Sequence, residues 1–109
     1  MRVARVLRAL EQEPARVFTV RELAKVAGAS RATFKRLFRA ATGQSPRRFL
    51  AQRRLAVAAR LLATSEVSLA EIARLTGYAS EFSLSRAFKR QHGVAPARYR
   101  HSCTVRCAA

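Results

Sequence analysis

The apolar residues of this chain recur every three to four positions, the spacing that brings side chains onto one face of an α-helix. The start of the chain shows the pattern most simply, with apolar residues at positions i, i+3, i+4 and i+7: Val3, Val6, Leu7 and Leu10. No segment alternates apolar and polar residues between clusters of turn-forming residues, which is the pattern of a half-buried strand. We therefore predict an all-α fold.

Residues that start and stop helices divide the next part of the chain into two short helices. Thr19-x-x-Glu22 has the form of a capping box, in which the hydroxyl accepts one backbone N–H and the carboxylate reaches back to another. The helix that it starts ends at Gly28. Ser30 caps the following helix, which ends at Gly43 because glycine readily adopts the left-handed conformation of helix ends.

A long helix follows, and then the same arrangement of short helices returns. Pro46 suits the first position of a helix, where its missing N–H costs nothing, and the helical pattern runs from there to about Thr64. Ser68-x-x-Glu71 is a second capping box, and the helix that it starts ends at Gly77.

The last part of the chain contains one more complete helix. Ser80 caps this helix, and Gly93 ends it. Pro96 then opens a last helical turn up to Tyr99. Beyond this turn we expect a loose tail.

The two halves of the chain match each other. The separation is first 49 residues, as between Glu22 and Glu71, and one residue is then inserted in the second turn. After the insertion the separation is 50 residues for five pairs: Ser30 and Ser80, Arg36 and Arg86, Phe38 and Phe88, Gly43 and Gly93, Pro46 and Pro96. Caps, core residues and helix ends agree together, so we infer a structural duplication joined by the long helix.

Each half has the residues of a helix-turn-helix. Such a motif needs a turn, often with glycine, between two helices that approach closely. Gly28 and Gly77 stand in the two turns, and Ala24 and Ala73, four residues earlier, are small enough for a close approach. The second helix of a DNA-binding helix-turn-helix enters the major groove with its N-terminal side chains against the base edges.

The charge of the chain is strongly unbalanced. Of its 109 residues, 22 are Lys or Arg and 6 are Asp or Glu, which gives a formal net charge of +16. A solvated surface usually mixes both signs, whereas an excess of this size indicates an anionic partner, with DNA or RNA as the first candidate. Arg is far more frequent than Lys, and its planar guanidinium suits bidentate contacts with phosphate and guanine.

The candidate DNA-binding residues lie on the exposed faces of the two second helices. In the first half they are Arg31, Ala32, Lys35, Arg36 and Arg39. In the second half they are Ser80, Glu81, Phe82, Ser83, Ser85, Arg86 and Lys89. The first face is a ladder of cations, whereas the second adds hydroxyls and a carboxylate, which can discriminate between bases.

Some of these residues have a second possible role. Glu81 either contacts a base or compensates the positive end of the helix dipole. Phe82 either packs on a thymine methyl group or covers the neighbouring turn. For Arg36 and Arg86, which occupy matched positions, we expect contacts with bases or phosphates rather than a merely solvated basic face.

Several stretches of the chain resemble the signature of the AraC/XylS family. They are residues 28–36 (GASRATFKR), 69–80 (LAEIARLTGYAS), 84–90 (LSRAFKR) and 93–100 (GVAPARYR), and the resemblance covers about residues 1–100. It implies a seven-helix DNA-binding domain with two helix-turn-helix units, in which one chain contacts two adjacent major grooves of double-stranded DNA. Base-contact positions of the family fall on Ala32, Lys35, Arg36, Glu81, Phe82, Ser85 and Arg86.

These inferences combine into a transcription regulator with four parts. The parts are an N-terminal helix with the first helix-turn-helix unit (residues 1–49), a connector helix (45–65), the second unit (66–100) and a loose tail (101–109). A connector of about 19 residues spans roughly 28 Å, close to the roughly 34 Å between successive major grooves on one DNA face. We expect sequence-specific activation or repression through RNA polymerase. The alternative is a non-specific, architectural nucleic-acid-binding protein.

Other functional classes find no support in the sequence. It contains no G-x-S-x-G, Walker A or H-E-x-x-H motif, so we expect neither an enzyme nor a cofactor. His101, Cys103 and Cys107 are three possible ligands, fewer than the four of a structural zinc site, so we expect no metal. With no long apolar run and no signal sequence, we expect a cytoplasmic protein outside the membrane. The length leaves no room for the effector or dimerisation domain that most members of the family add, so we expect either a fragment of a longer regulator or a DNA-binding domain that works alone.

Overall fold

The described part of the chain is all-helical, as predicted. The computed structural model describes residues 2–14 and 16–108, with side chains as far as Cys103. Within these residues there is no β-strand, and there are seven helices: α1 (Arg2–Gln12), α2 (Val20–Ala27), α3 (Arg31–Thr42), α4 (Pro46–Thr64), α5 (Leu69–Leu75), α6 (Glu81–His92) and α7 (Pro96–Ala108). The two helix-turn-helix motifs are α2–α3 and α5–α6, and α4 has the predicted bounds.

The chain divides into two compact units, Met1–Ala51 (unit 1) and Gln52–Ala109 (unit 2). Helix α4 therefore contributes to both units instead of standing apart as a separate connector. Its apolar residues explain this division, since Leu50 is buried in the core of unit 1, whereas Leu55 and Leu62 are buried in that of unit 2.

The two units build their cores from matched aromatic residues. In unit 1, Phe38 meets Phe49 edge to face, with ring centroids 5.2 Å apart and an interplanar angle of 76°. In unit 2, Phe88 meets Tyr99 at 5.2 Å and 75°. The members of the two pairs are separated by 50 residues in the sequence. The duplication inferred from the sequence therefore extends to the packing of side chains.

The predicted capping boxes of α2 and α5 form only in part. Thr19 accepts a hydrogen bond from the backbone N–H of Glu22 at 3.1 Å, but the Glu22 carboxylate is bonded to Arg16 at 3.3 Å. Ser68 and Glu71 behave in the same way, with the Glu71 carboxylate bonded to an arginine one turn later. In both helices a guanidinium occupies the carboxylate that the predicted box would direct to the backbone N–H of the cap residue.

A glycine in the left-handed region lies in the turn of each helix-turn-helix. Gly28 ends α2 with φ 68°, and Gly77 follows α5 with φ 82°. The N–H group after each glycine returns to the carbonyl oxygen of the small alanine in the preceding helix: Ala29 to Ala24 at 3.0 Å, and Tyr78 to Ala73 at 2.9 Å. These bonds fix the direction in which the second helix leaves the turn.

Replacing Gly28 by alanine should lower the free energy of unfolding by about 1–2 kcal/mol, the cost of a left-handed backbone for a residue with a Cβ. An added Cβ would meet no atom within 4 Å, so steric crowding adds nothing to this cost. Gly28→Asn is the matched control, because Asn adopts this conformation with a smaller penalty. Urea unfolding followed by circular dichroism measures both variants, and equal losses would contradict the explanation.

Helix α7 extends further than the sequence predicted. The prediction ended the last helical turn at Tyr99 and placed residues 101–109 in a loose tail, whereas α7 runs from Pro96 to Ala108. Neither Gly nor Pro occurs after Pro96, so the sequence contains nothing that stops the helical hydrogen bonding.

Arg100 fixes the position of α7 in unit 2. Its guanidinium donates to the carbonyl oxygens of Leu62 at 3.2 Å and Val67 at 2.7 Å. These residues are 38 and 33 positions away in the sequence, so no local pattern could indicate the contacts. The carbonyl of Leu62 lies in the last turn of α4, where helical carbonyl groups lack partners within the helix.

Candidate nucleic-acid interface

Helix α3 presents an exposed cationic face. Ser30 caps the helix by accepting the N–H of Thr33 at 3.2 Å, and the buried Phe34 and Phe38 hold its inner face. The five residues predicted to contact DNA are all exposed: Arg31, Ala32, Lys35, Arg36 and Arg39. Within the described residues, none of the four cations forms an ion pair with an acidic side chain. Their charge is therefore available to an anionic ligand.

Helix α6 presents a mixed face over the buried side chains of Leu84 and Phe88. Five of the seven predicted residues are exposed: Ser80, Glu81, Phe82, Arg86 and Lys89. Ser83 and Ser85 are half-buried. The two helices thus differ in chemistry, since α6 combines a carboxylate and an aromatic ring with its cations.

Ser80 and Ser83 form a reciprocal capping box at the start of α6. The N–H of Ser83 donates to Ser80 Oγ at 3.1 Å, and the N–H of Ser80 donates to Ser83 Oγ at 3.2 Å. Sequence analysis did not detect this box because its second member is Ser instead of Glu or Gln. The box holds the end of α6 that carries Glu81 and Phe82 in a defined conformation.

Each second helix carries one row of predicted contact residues at the spacing i, i+3, i+4 and i+7. The row on α3 is Ala32, Lys35, Arg36 and Arg39, and the row on α6 is Phe82, Ser85, Arg86 and Lys89. Residues at this spacing share one helical face. Arg31 and Glu81 stand beside the N-terminal ends of the two rows, at matched positions of opposite charge.

Three apolar residues in the helices of the two helix-turn-helix motifs are more than a third exposed. Val26 and Leu37 are each 36% exposed, and Leu75 is 40% exposed. Leu37 lines an open groove in unit 1, together with residues of α1 and of the end of α3. Units of this size lack the volume to bury every apolar side chain of their short helices, which explains these exceptions.

The described residues contain neither a cluster of possible metal ligands nor a helix that could span a membrane. They contain no group of three or more His, Cys, Asp or Glu side chains that could hold a metal ion. Cys103 is a half-buried free thiol, and the side chain of Cys107 lies outside the described residues. No helix in this part of the chain is long and apolar enough to cross a membrane.

Two helix-turn-helix motifs in one chain, each with a largely exposed row on its second helix, define a double helix-turn-helix module. A family model described as a helix-turn-helix domain matches residues 23–102. The chain belongs to the AraC-type helix-turn-helix family, as the resemblance of its motifs implied.

Curated relatives of this family match the chain over nearly its whole length. It is 44% identical over 103 residues to an AraC-like transcription regulator of Streptomyces lividans. The aligned region covers 94% of this chain and 34% of that protein. It is 37% identical over 99 residues to RclR of Escherichia coli K12, an RCS-specific transcriptional activator. The aligned region covers 91% of this chain and 35% of that protein. The chain spans about a third of the length of these relatives.

Solved structures share the fold of the chain. The DNA-binding domain of AdpA, a global transcriptional factor in complex with a target DNA, is 40% identical with a TM-score of 0.82, covering 96% of this chain and 94% of that one. The C-terminal domain of AraT, a response regulator of Geobacillus stearothermophilus, is 28% identical with a TM-score of 0.82. The superposition covers 93% of this chain and 84% of that one.

Proposed function

We propose that this chain binds double-stranded DNA sequence-specifically through α3 and α6 and thereby regulates transcription. The matched pair of largely exposed rows on the second helices of the two helix-turn-helix motifs carries this proposal. In such motifs the second helix is the element that enters the major groove. The similarity to the AdpA domain, whose structure contains a target DNA, supports the same role here.

The residues of each row divide into base contacts and phosphate contacts. The side chains in the N-terminal half of each helix approach the base edges: Ala32, Lys35, Arg36, Glu81, Phe82, Ser85 and Arg86. Arg39 and Lys89 lie nearer the C-terminal ends of α3 and α6, and they contact phosphates. Arg31 adds positive charge at the start of α3, while Ser80 and Ser83 hold the start of α6 in position.

One chain contacts two adjacent major grooves, because both recognition helices, α3 and α6, belong to the same polypeptide. The relatives are transcription regulators and an activator by description, which supports a regulatory outcome of binding. RNA polymerase, recruited or obstructed beside the bound site in the cytoplasm, is the second partner that we propose. The function requires binding without a catalytic step.

Selection of bound sequences from a random DNA pool by the full chain tests the proposal. The selected duplex and a scrambled duplex of equal length are then titrated at one salt concentration, and we expect the selected duplex to bind about a thousandfold more tightly or better. Analytical ultracentrifugation of the selected complex should give one chain per duplex. A minimum of two chains would contradict the reading of two grooves by one chain.

The second candidate is a non-specific architectural nucleic-acid-binding protein, which the net charge of +16 favours. Such a protein binds through phosphate contacts alone, so its affinity falls with salt in the same way for every duplex. Equal affinities for the selected and scrambled duplexes would therefore contradict sequence-specific binding and support this alternative.

A further inference from the structure

Phe82 is the most exposed large apolar side chain in the described part of the chain. Its side chain is 76% exposed, whereas Val26, Leu37 and Leu75 are between 36% and 40% exposed. Among the described residues its ring stacks on no other aromatic ring. A ring that packed against the neighbouring turn would be largely buried by that contact. The exposure of Phe82 therefore excludes the role of covering the turn and leaves the contact with a thymine methyl group.

The position of Phe82 determines what it can meet in a DNA complex. It is the second residue of α6, at the N-terminal end of the row that continues with Ser85, Arg86 and Lys89. The reciprocal cap of Ser80 and Ser83 holds this end of the helix. The N-terminal side chains of a recognition helix face the base edges, which makes Phe82 a reader of bases and not of the phosphate backbone.

Only one feature of the major groove suits a hydrocarbon ring. Guanine, cytosine and adenine present hydrogen-bond donors and acceptors there, which a phenyl group cannot satisfy, whereas thymine presents its 5-methyl group. We propose that Phe82 makes unit 2 selective for a thymine through contact with this methyl group. The inference rests on the proposed function of the chain and specifies what α6 selects.

Unit 1 supplies an internal comparison for this selectivity. Ala32 stands 50 positions before Phe82, at the matched place on α3, and it is exposed. A single methyl side chain offers much less surface to a thymine methyl group than a phenyl ring does, so we expect the stronger thymine selection in unit 2. The match also shows that a small side chain is compatible with this helix position, so Phe82→Ala is expected to leave the fold intact.

The test replaces each thymidine of the selected duplex in turn by deoxyuridine, which lacks only the 5-methyl group and still pairs with adenine. For the native chain, we expect one replacement to weaken binding about fourfold, the factor that corresponds to roughly 0.8 kcal/mol for one buried methyl-sized group. Phe82→Ala should bind the thymidine and deoxyuridine duplexes equally. Leu75→Ala, which alters an exposed apolar residue outside α6, should keep the fourfold difference.

Each result decides the inference. It is overturned if no replacement weakens binding by the native chain, if Phe82→Ala retains the full loss, or if Leu75→Ala abolishes it as well. These results leave sequence-specific binding in place, since the selected duplex still binds more tightly than the scrambled one. Equal binding of selected and scrambled duplexes by the native chain would remove the proposed function and this inference together.

Discussion

Replacing Phe88 by alanine is expected to lower the free energy of unfolding by about 3–5 kcal/mol, a large share of the stability of a small unit. The Phe88 ring is fully buried, lies edge to face with Tyr99, and stacks on His92 at a centroid distance of 4.2 Å. The substitution removes these contacts and leaves a cavity beneath α6. Urea unfolding followed by circular dichroism measures the change.

Phe82→Ala is the matched control for this substitution. It removes the same ring from the same helix, but Phe82 is 76% exposed, so we expect a change within about 0.5 kcal/mol. Similar losses for the two variants would contradict the conclusion that burial sets the cost. Phe38→Ala in unit 1 should resemble Phe88→Ala, because Phe38 is equally buried and packs in the same geometry.

Most helix boundaries could be predicted from the sequence because they depend on local chemistry. Pro46 at a helix start and Gly28 at a helix end act through their own backbone preferences, which do not depend on distant residues. The apolar spacing then identifies the inner face of each helix, as Phe34 and Phe38 illustrate for α3. The same pattern leaves the predicted contact residues on the outer face.

The sequence could not show which of several possible hydrogen-bond partners a polar side chain takes. The Glu22 carboxylate has both a backbone N–H and Arg16 within its possible reach, and only the folded arrangement decides between them. The bonds of Arg100 to Leu62 and Val67 depend on how α7 packs in unit 2. Such choices require tertiary structure, since neither partner is specified by its neighbours in the sequence.

In the candidate site, too, the sequence predicts which residues lie on the outer face, whereas their individual roles depend on the folded structure. Periodicity places Phe82 on the outer face of α6, but an apolar residue there could equally cover a turn, and only its exposure in the folded chain separates the alternatives. Ser83 is similar, because a serine hydroxyl can meet a base or close a cap. In the structure it closes the cap with Ser80, so we expect any effect of Ser83 on DNA binding to come through the conformation of the helix start.

Arg86→Ala is expected to weaken binding to the selected duplex by about 1–3 kcal/mol and to relax the preference at one base pair. Arg86 is exposed, lies one turn after Phe82 on the same row, and forms no ion pair within the described residues. Arg36→Ala should have a similar cost with a smaller change in preference, because two neighbouring cations remain on α3, Lys35 near the base edges and Arg39 near the phosphates.

Lys89→Ala is the matched control for Arg86→Ala, since it removes a cation from the same row. Lys89 lies in the last turn of α6, farther from the base edges, so its loss should weaken all duplexes about equally and reduce the salt slope by about one unit. Arg39→Ala should act in the same way in unit 1. Binding of each variant to matched and mismatched duplexes over a series of salt concentrations separates the two roles. If Arg86→Ala weakens both duplexes equally, Arg86 contacts a phosphate, and base readout by unit 2 depends on other residues of α6.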